Sequence, residues 1–216
     1  MEAFPSGGTV ASVKATIASI QRDPSIAALL DDPFGLTPGF VGPEQPPLSG
    51  VQRDEELDVW LAPFMIAPIN TKNVHRSNML MDHRYGVDFR YSEMRVAGRG
   101  DEGHARAEEI LNDRSIMSPD APKPGEGPSR EVRESGSYEA VLIGTLSDGE
   151  QIRVVLTGEG DPGYGSTSKM IAEAAICLAC DITDTAGGVL TPSVAMGEAL
   201  VRRLEDHAGL TFSVQS

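Results

Sequence analysis

No run of eighteen consecutive apolar residues occurs anywhere in these 216 residues, so no segment reads as a membrane-spanning helix. Basic residues are also scarce: 18 Lys and Arg stand against 32 Asp and Glu, a formal net charge of -14. That balance repels the polyanionic backbone on which nucleic-acid affinity depends, so nucleic acid is not an expected partner and an anionic membrane surface is disfavoured, with peripheral membrane contact left open. Cysteine is nearly absent. Cys177 and Cys180, in a C-L-A-C arrangement, are too few for an extracellular disulfide framework, and a reducing, cytoplasmic setting is the expectation. No second C-x-x-C completes a zinc set, so no metal site is expected. The opening MEAFPSGGTVASVK lacks the basic and apolar regions of a signal peptide, which predicts an unexported chain. The length suits one substantial core or two small lobes and would cramp a complete two-domain enzyme.

What is present is a mixed pattern of helices and short strands. Ser6-Gly7-Gly8-Thr9 offers caps ahead of Val10, Val13, Ile17 and Ile20, an amphipathic spacing that predicts a helix to about Arg22. A short helix over Ser25 to Leu30 follows, then an irregular Pro/Gly-rich linker over residues 31–50, either a lobe boundary or a wrapping loop. Val59 to Phe64 reads as a strand and Ile66 to Met81 as an unusually polar helix. Tyr85 to Ala97 alternates apolar and polar residues with period two and predicts a half-exposed strand. A charged helix at 101–113 precedes a second Pro/Gly-rich loop. Ser137 to Leu146 and Gln151 to Thr157 flank Ser-Asp-Gly-Glu, a hairpin signal. Helices from Ser166 to about Cys180 and from Thr191-Pro192 through Leu204, and a strand from Leu210 to Val214, close the chain. The expectation is an α+β fold: a mixed, largely antiparallel sheet with helices packed on one face. Residues 1–50 form a helical segment and linker, and residues 51–216 a single α+β domain.

Two glycine motifs invite a nucleotide reading. In VLTGEGDPGYGSTSKM, Gly158, Gly160 and Gly163 spell G-x-G-x-x-G, and Gly98, Gly100 and Gly103 repeat the spacing. Neither sits between the first strand and helix of a parallel β-α-β unit, and both carry acids at their variable positions. A phosphate loop also fails, because Ser166 replaces the lysine and Lys169 comes a helical turn too late. Ser166 and Thr167 read as helix caps.

Five ordered blocks then resemble the C-terminal half of saccharopine dehydrogenase-like oxidoreductases, in particular the subgroup of trans-acting enoyl reductases. They are APFMIAPINTKNVHRSNML, YGVDFRYSEM, PGEGPSREVRESGSYEAVLIG, TGEGDPGYGSTSKMIAEAAICLA and GGVLTPSVAMGEALVRRLEDHAGLTFSV. The resemblance implies a substrate-binding and dimerisation portion, a homodimer acting on a small-molecule or acyl substrate. It departs from the family in having no N-terminal Rossmann domain, so NAD(P) is expected only with a separate Rossmann partner and none on this chain alone. A truncated gene product, a split enzyme and recruitment to a role without redox chemistry remain open. The alternatives from other classes are a non-catalytic homodimeric interaction module and a cofactor-free isomerase or cyclase.

The candidate residues form two sets. Asn70, Thr71, His75, Arg76, Ser77 and Asn78 lie on the polar helix, where amide and guanidinium donors suit a polar substrate or a cofactor carried by another domain. The plainer reading makes Asn70 a cap and pairs Arg76 with an acid. Asp161, Tyr164 and Lys169 form the second set. Tyr164 between two glycines suits a proton donor to a developing enolate, or else a packed ring that anchors the turn. His75 and Tyr164 are the catalytic candidates, and Asn70, Arg76, Ser77, Asn78, Asp161 and Lys169 the substrate contacts. Cys177 and Cys180, three apart, should share one helix face and read as core.

Overall fold

The structure is a computed structural model and describes residues 6–215. Its contacts separate into two units, one built on Ser12–Ala121 and the other on the chain from Pro122 onward together with the start of the first helix. That helix, α1 (Gly7–Arg22), is capped by Ser6, whose Oγ accepts the Thr9 amide at 3.0 Å. The fold is α+β, and its strands form two three-stranded sheets in which every pairing is antiparallel.

In the Ser12–Ala121 unit, α2 (Ser25–Asp31) precedes a sheet of β1 (Gln52–Asp54), β2 (Val59–Pro63) and β3 (Met94–Gly98). Helix α3 (Ala67–Leu80) lies between β2 and β3 in sequence, and α4 (Gly100–Asn112) packs on β2 and β3. The core there is made of small residues. Ala62, Ala97 and Ala107 are buried, with Val51, Trp60 and Ile110 packed around them. The close approach this allows is set by glycine: a Cβ on Gly103 would lie 2.3 Å from the Gly98 carbonyl carbon. Gly98 and Gly100 have φ of 132° and 59°, conformations that disfavour other residues. The second glycine motif therefore serves a sharp strand-to-helix turn.

The 31–50 segment is a wrapping loop. Arg76 Nη1 donates to the Leu36 carbonyl at 2.9 Å, Lys72 Nζ donates to the Leu30 carbonyl, and the ring of Phe34 packs 4.6 Å from that of His75. The expected strand over Tyr85 to Ala97 is corrected: only Met94–Gly98 pairs with a neighbour. Asp82, His83 and Gly86 take positive φ and turn the chain back over α3. Two side-chain amides then stand in for a neighbouring strand. Asn78 accepts the Tyr85 amide and donates to the Gly86 carbonyl, both at 2.8 Å, and Gln45 accepts the Tyr91 amide at 3.0 Å. The period-two alternation reflects Phe89 packing against His75 and Tyr85, not a ladder.

In the second unit, α5 (Arg130–Ser135) precedes the hairpin of β4 (Ser137–Thr145) and β5 (Gln151–Glu159), closed by a turn in which Gly149 has φ of 90°. Strand β6 (Leu210–Gln215) pairs with β5 on its other side. Helix α6 (Gly165–Ile176) widens into a π turn at Cys177–Asp181 and is followed by α7 (Pro192–His207), which breaks at Gly197. Arg203 of α7 ties these pieces together, pairing with Glu173 at 2.7 Å and with Asp181. Cys177 and Cys180 both lie in the π turn, where Cys177 is buried and Cys180 exposed, so the core placement expected of both is corrected for Cys180. Burial and the neighbouring Asp181 carboxylate push the Cys177 thiol up.

Candidate functional site

Helix α3 turns its polar residues inward. Thr71, His75, Ser77 and Asn78 are buried, whereas Met65, Ile66 and Ile69 at its start are 56, 39 and 58% exposed. A surface helix ordinarily shows the opposite polarity. The inward groups are satisfied locally: Thr71 Oγ1 donates to the Ala67 carbonyl and Ser77 Oγ to that of Asn73, each at 2.8 Å. His75 Nε2 lies 3.0 Å from Gln45 Oε1, which also accepts the Tyr91 amide, so the imidazole is the donor. Enclosed by Phe34 and Phe89, His75 has its pKa lowered by burial and stands neutral.

Asn70 sits in the second turn of α3 instead of capping it, because the helix begins at Ala67. Its Nδ2 donates to both carboxylate oxygens of Glu93, at 2.9 and 3.2 Å, and the Tyr91 hydroxyl donates to the same carboxylate at 3.3 Å. Burial and the Glu93 charge push the Tyr91 phenol up to about 12. Gln45, Tyr91 and Glu93 thus complete a constellation that sequence reasoning missed. Gln45 lies in a Pro-rich loop with no periodicity to betray it, and Tyr91 and Glu93 were hidden in a misassigned strand.

The second constellation surrounds the glycine turn at the start of α6. Asp161 is 5% exposed, and its carboxylate accepts the amides of Gly163 at 2.9 Å, Tyr164 at 3.1 Å and Gly165 at 2.6 Å. Those are the amides a phosphate would need at a helix N-terminus, and an internal anion already holds them. The capping roles expected of Ser166 and Thr167 fall to Asp161. Ser166 is instead fully buried and bonded to the Tyr138 hydroxyl at 2.8 Å, and Thr167 Oγ1 donates to the Pro162 carbonyl at 2.6 Å.

Tyr164 is 43% exposed. Glycine at 127 keeps one side of its ring clear, since a Cβ there would stand 3.1 Å from it. Lys169 is exposed farther along α6. The structure therefore groups Asn70, His75, Arg76, Ser77 and Asn78 on α3, and Asp161, Tyr164 and Lys169 in the other unit. Among the described residues no cluster of three His, Cys, Asp or Glu side chains could hold a metal ion, and no helix is long and apolar enough to cross a membrane.

Comparison with known proteins adds the context. A Mycobacterium tuberculosis protein provisionally named a trans-acting enoyl reductase is 37% identical over 227 residues, covering 92% of this chain and 54% of that protein. Trans-acting enoyl reductases of Mycobacterium bovis and Mycobacterium ulcerans are 33 and 31% identical, covering 92 and 93% of this chain and 54% of each relative. The chain spans about half the length of these curated relatives. No family model and no solved structure matches it.

Proposed function

We propose that this chain is the substrate-binding and dimerisation portion of a saccharopine dehydrogenase-like, NAD(P)-dependent enoyl reductase that acts on an acyl or polyketide-type intermediate. The observation that carries this reading is the alignment of 92% of the chain with about half of relatives bearing that reductase name. The exposed Met65 and Ile66 just before α3 and Ile69 in its first turn are in keeping with an acyl substrate or a second domain lying against them. The dinucleotide does not fit the glycine turn, whose amides Asp161 holds, so in this reading it rides on a Rossmann domain outside the chain.

The nicotinamide supplies a hydride when bound. This chain's part is to hold the acyl group and hand over a proton. Tyr164 Oη, exposed beside Gly127, is the proposed proton donor to the enolate carbon, with Lys169 of the same unit as a proposed polar contact; Asn70 and Arg76 are proposed as polar contacts on α3, within the other unit. His75, Ser77 and Asn78 position α3 and the segments folded over it.

The test adds the unmatched half of the Mycobacterium tuberculosis relative in trans and follows NADPH oxidation with an enoyl thioester. We expect NADPH to bind the mixture and not the isolated chain, and Tyr164→Phe to lower turnover at least tenfold with NADPH affinity unchanged. Tight NADPH binding by the isolated chain, or full activity of Tyr164→Phe, overturns the corresponding part.

A further inference from the structure

One carboxylate of the Ser12–Ala121 unit is held in place without being neutralised. Glu93 is half-buried, and the groups bonded to it are neutral: Asn70 Nδ2 donates to Oε2 at 2.9 Å and to Oε1 at 3.2 Å, and the Tyr91 hydroxyl donates to Oε2 at 3.3 Å. With its phenol pushed up to about 12, Tyr91 stays a donor. Among the described residues no Lys, Arg or His pairs with Glu93. By contrast, Glu173 and Asp181 share Arg203, and Asp161 holds three backbone amides. Asn70 Oδ1 likewise accepts from no described group. Both open acceptors adjoin Asn70 Nδ2, Oε1 at 3.2 Å and Oδ1 on the same amide.

Apolar side chains border this pair. The last rung of the β2-β3 ladder joins Pro63 to Met94, so Glu93, one residue before it, and Met65 and Ile66, just past it, come to the same end of the sheet. The Asn70 amide donates to the Ile66 carbonyl at 3.0 Å, which sets Ile66 one helical turn below Asn70 on the same side. Met65 and Ile66 are 56 and 39% exposed. We propose that Glu93 and Asn70 form a binding site for an alkylammonium ligand, its primary ammonium donating to Glu93 Oε1 and Asn70 Oδ1 and its apolar body lying on Met65 and Ile66. The proposal goes beyond the reductase reading and needs neither a cofactor nor a second domain.

The chemistry of the two oxygens selects that head group. Carboxylate and amide oxygens only accept, so one group that satisfies both must carry more than one N–H or O–H. A half-buried carboxylate favours a donor that also brings positive charge. A guanidinium recognises a carboxylate by bonding both oxygens in parallel, but Asn70 already spans the two oxygens of Glu93. An ammonium is compact, with three N–H groups that diverge, and suits one carboxylate oxygen and one carbonyl. A divalent metal ion asks for more anionic oxygens than one carboxylate supplies, and among the described residues no cluster of three His, Cys, Asp or Glu stands here. An acyl carboxylate meets repulsion from Glu93.

The test titrates n-octylammonium chloride into the isotope-labelled full chain and follows the Asn70 side-chain amide and the Tyr91 backbone amide by nuclear magnetic resonance. We expect saturable shifts at both with a midpoint below about 10 mM, and none with sodium n-octanoate. Butylammonium, no longer than a lysine stem, should bind at least fivefold more weakly, because less of it reaches Met65 and Ile66. Glu93→Gln, with its fold checked by circular dichroism, should weaken octylammonium at least tenfold. Glu102→Gln removes the same charge from the exposed start of α4 in the same unit and should leave the affinity unchanged. Shifts that do not saturate, an equal response to octanoate, equal affinity for butylammonium, or equal losses in the two variants overturn the proposal. The native chain's choice between ammonium and carboxylate decides the matter even if Glu93→Gln fails to fold. Binding is read on this chain alone, so its failure is separate from a failure of NADPH turnover.

Discussion

Replacing Asp161 by alanine tests whether the glycine turn is an internally capped helix start. The native carboxylate holds three backbone amides at 2.6 to 3.1 Å while almost wholly buried. A lost capping side chain costs about 0.5–2 kcal/mol. Leaving further amides without an acceptor adds about 1–3 kcal/mol, less what water recovers once the side chain is gone. The expected loss is therefore about 2–4 kcal/mol. Asp161→Asn is milder at about 1–2 kcal/mol, since its Oδ1 still accepts from Gly163 and Tyr164 while its amino group faces the Gly165 amide. The assay is urea unfolding by far-ultraviolet circular dichroism, with hydrogen exchange at residues 163–165 to locate the change. The alanine variant should exchange faster there than elsewhere in the unit. A loss within about 0.5 kcal/mol of zero, or native-like protection of these amides, refutes the capping argument.

Three further outcomes follow from the same geometry. Gly103→Ala forces a Cβ to 2.3 Å from backbone of Gly98, where no side chain can yield, and should cost about 2 kcal/mol by thermal unfolding despite alanine's better helix propensity. His75 is neutral in the fold because burial lowers its pKa, so the unfolded chain takes up the proton first. Its contribution is therefore fully present above about pH 6.5 and is lost as pH falls through the lower folded pKa; urea midpoints between pH 7.5 and 5 should drop more for the native chain than for His75→Gln. Tyr138→Phe and Ser166→Ala should each cost about 1–2 kcal/mol while the double variant costs clearly less than their sum, and strict additivity in that cycle would show that the 2.8 Å bond contributes nothing.

The helices were legible because their signals are local. The amphipathic spacing after Ser6, the Thr191-Pro192 start and the polar run after Ile66 each lie within a few residues of the element they announce. The hairpin was legible for the same reason, since Ser147 to Glu150 carries its own turn chemistry. The two glycine motifs were read correctly as turns from their acids and context, and Asp161 itself supplies the reason the first one has no free amides.

Alternation alone misled over Tyr85 to Glu93: Tyr85 and Val87 on its apolar side are exposed, and the spacing says nothing of what satisfies the backbone. There the backbone partners are Asn78 and, 46 residues before Tyr91, Gln45. No local pattern announces such a bond. The same limit hid the Asn70, Tyr91 and Glu93 contacts and the exposure of Cys180. Sequence by itself determined most of the helices and the hairpin, the net charge of -14, and the resemblance to half of a reductase. Tertiary structure decided which polar groups are consumed internally and which stay exposed, because hydrogen-bond satisfaction and burial depend on residues distant in the chain that only folding brings together.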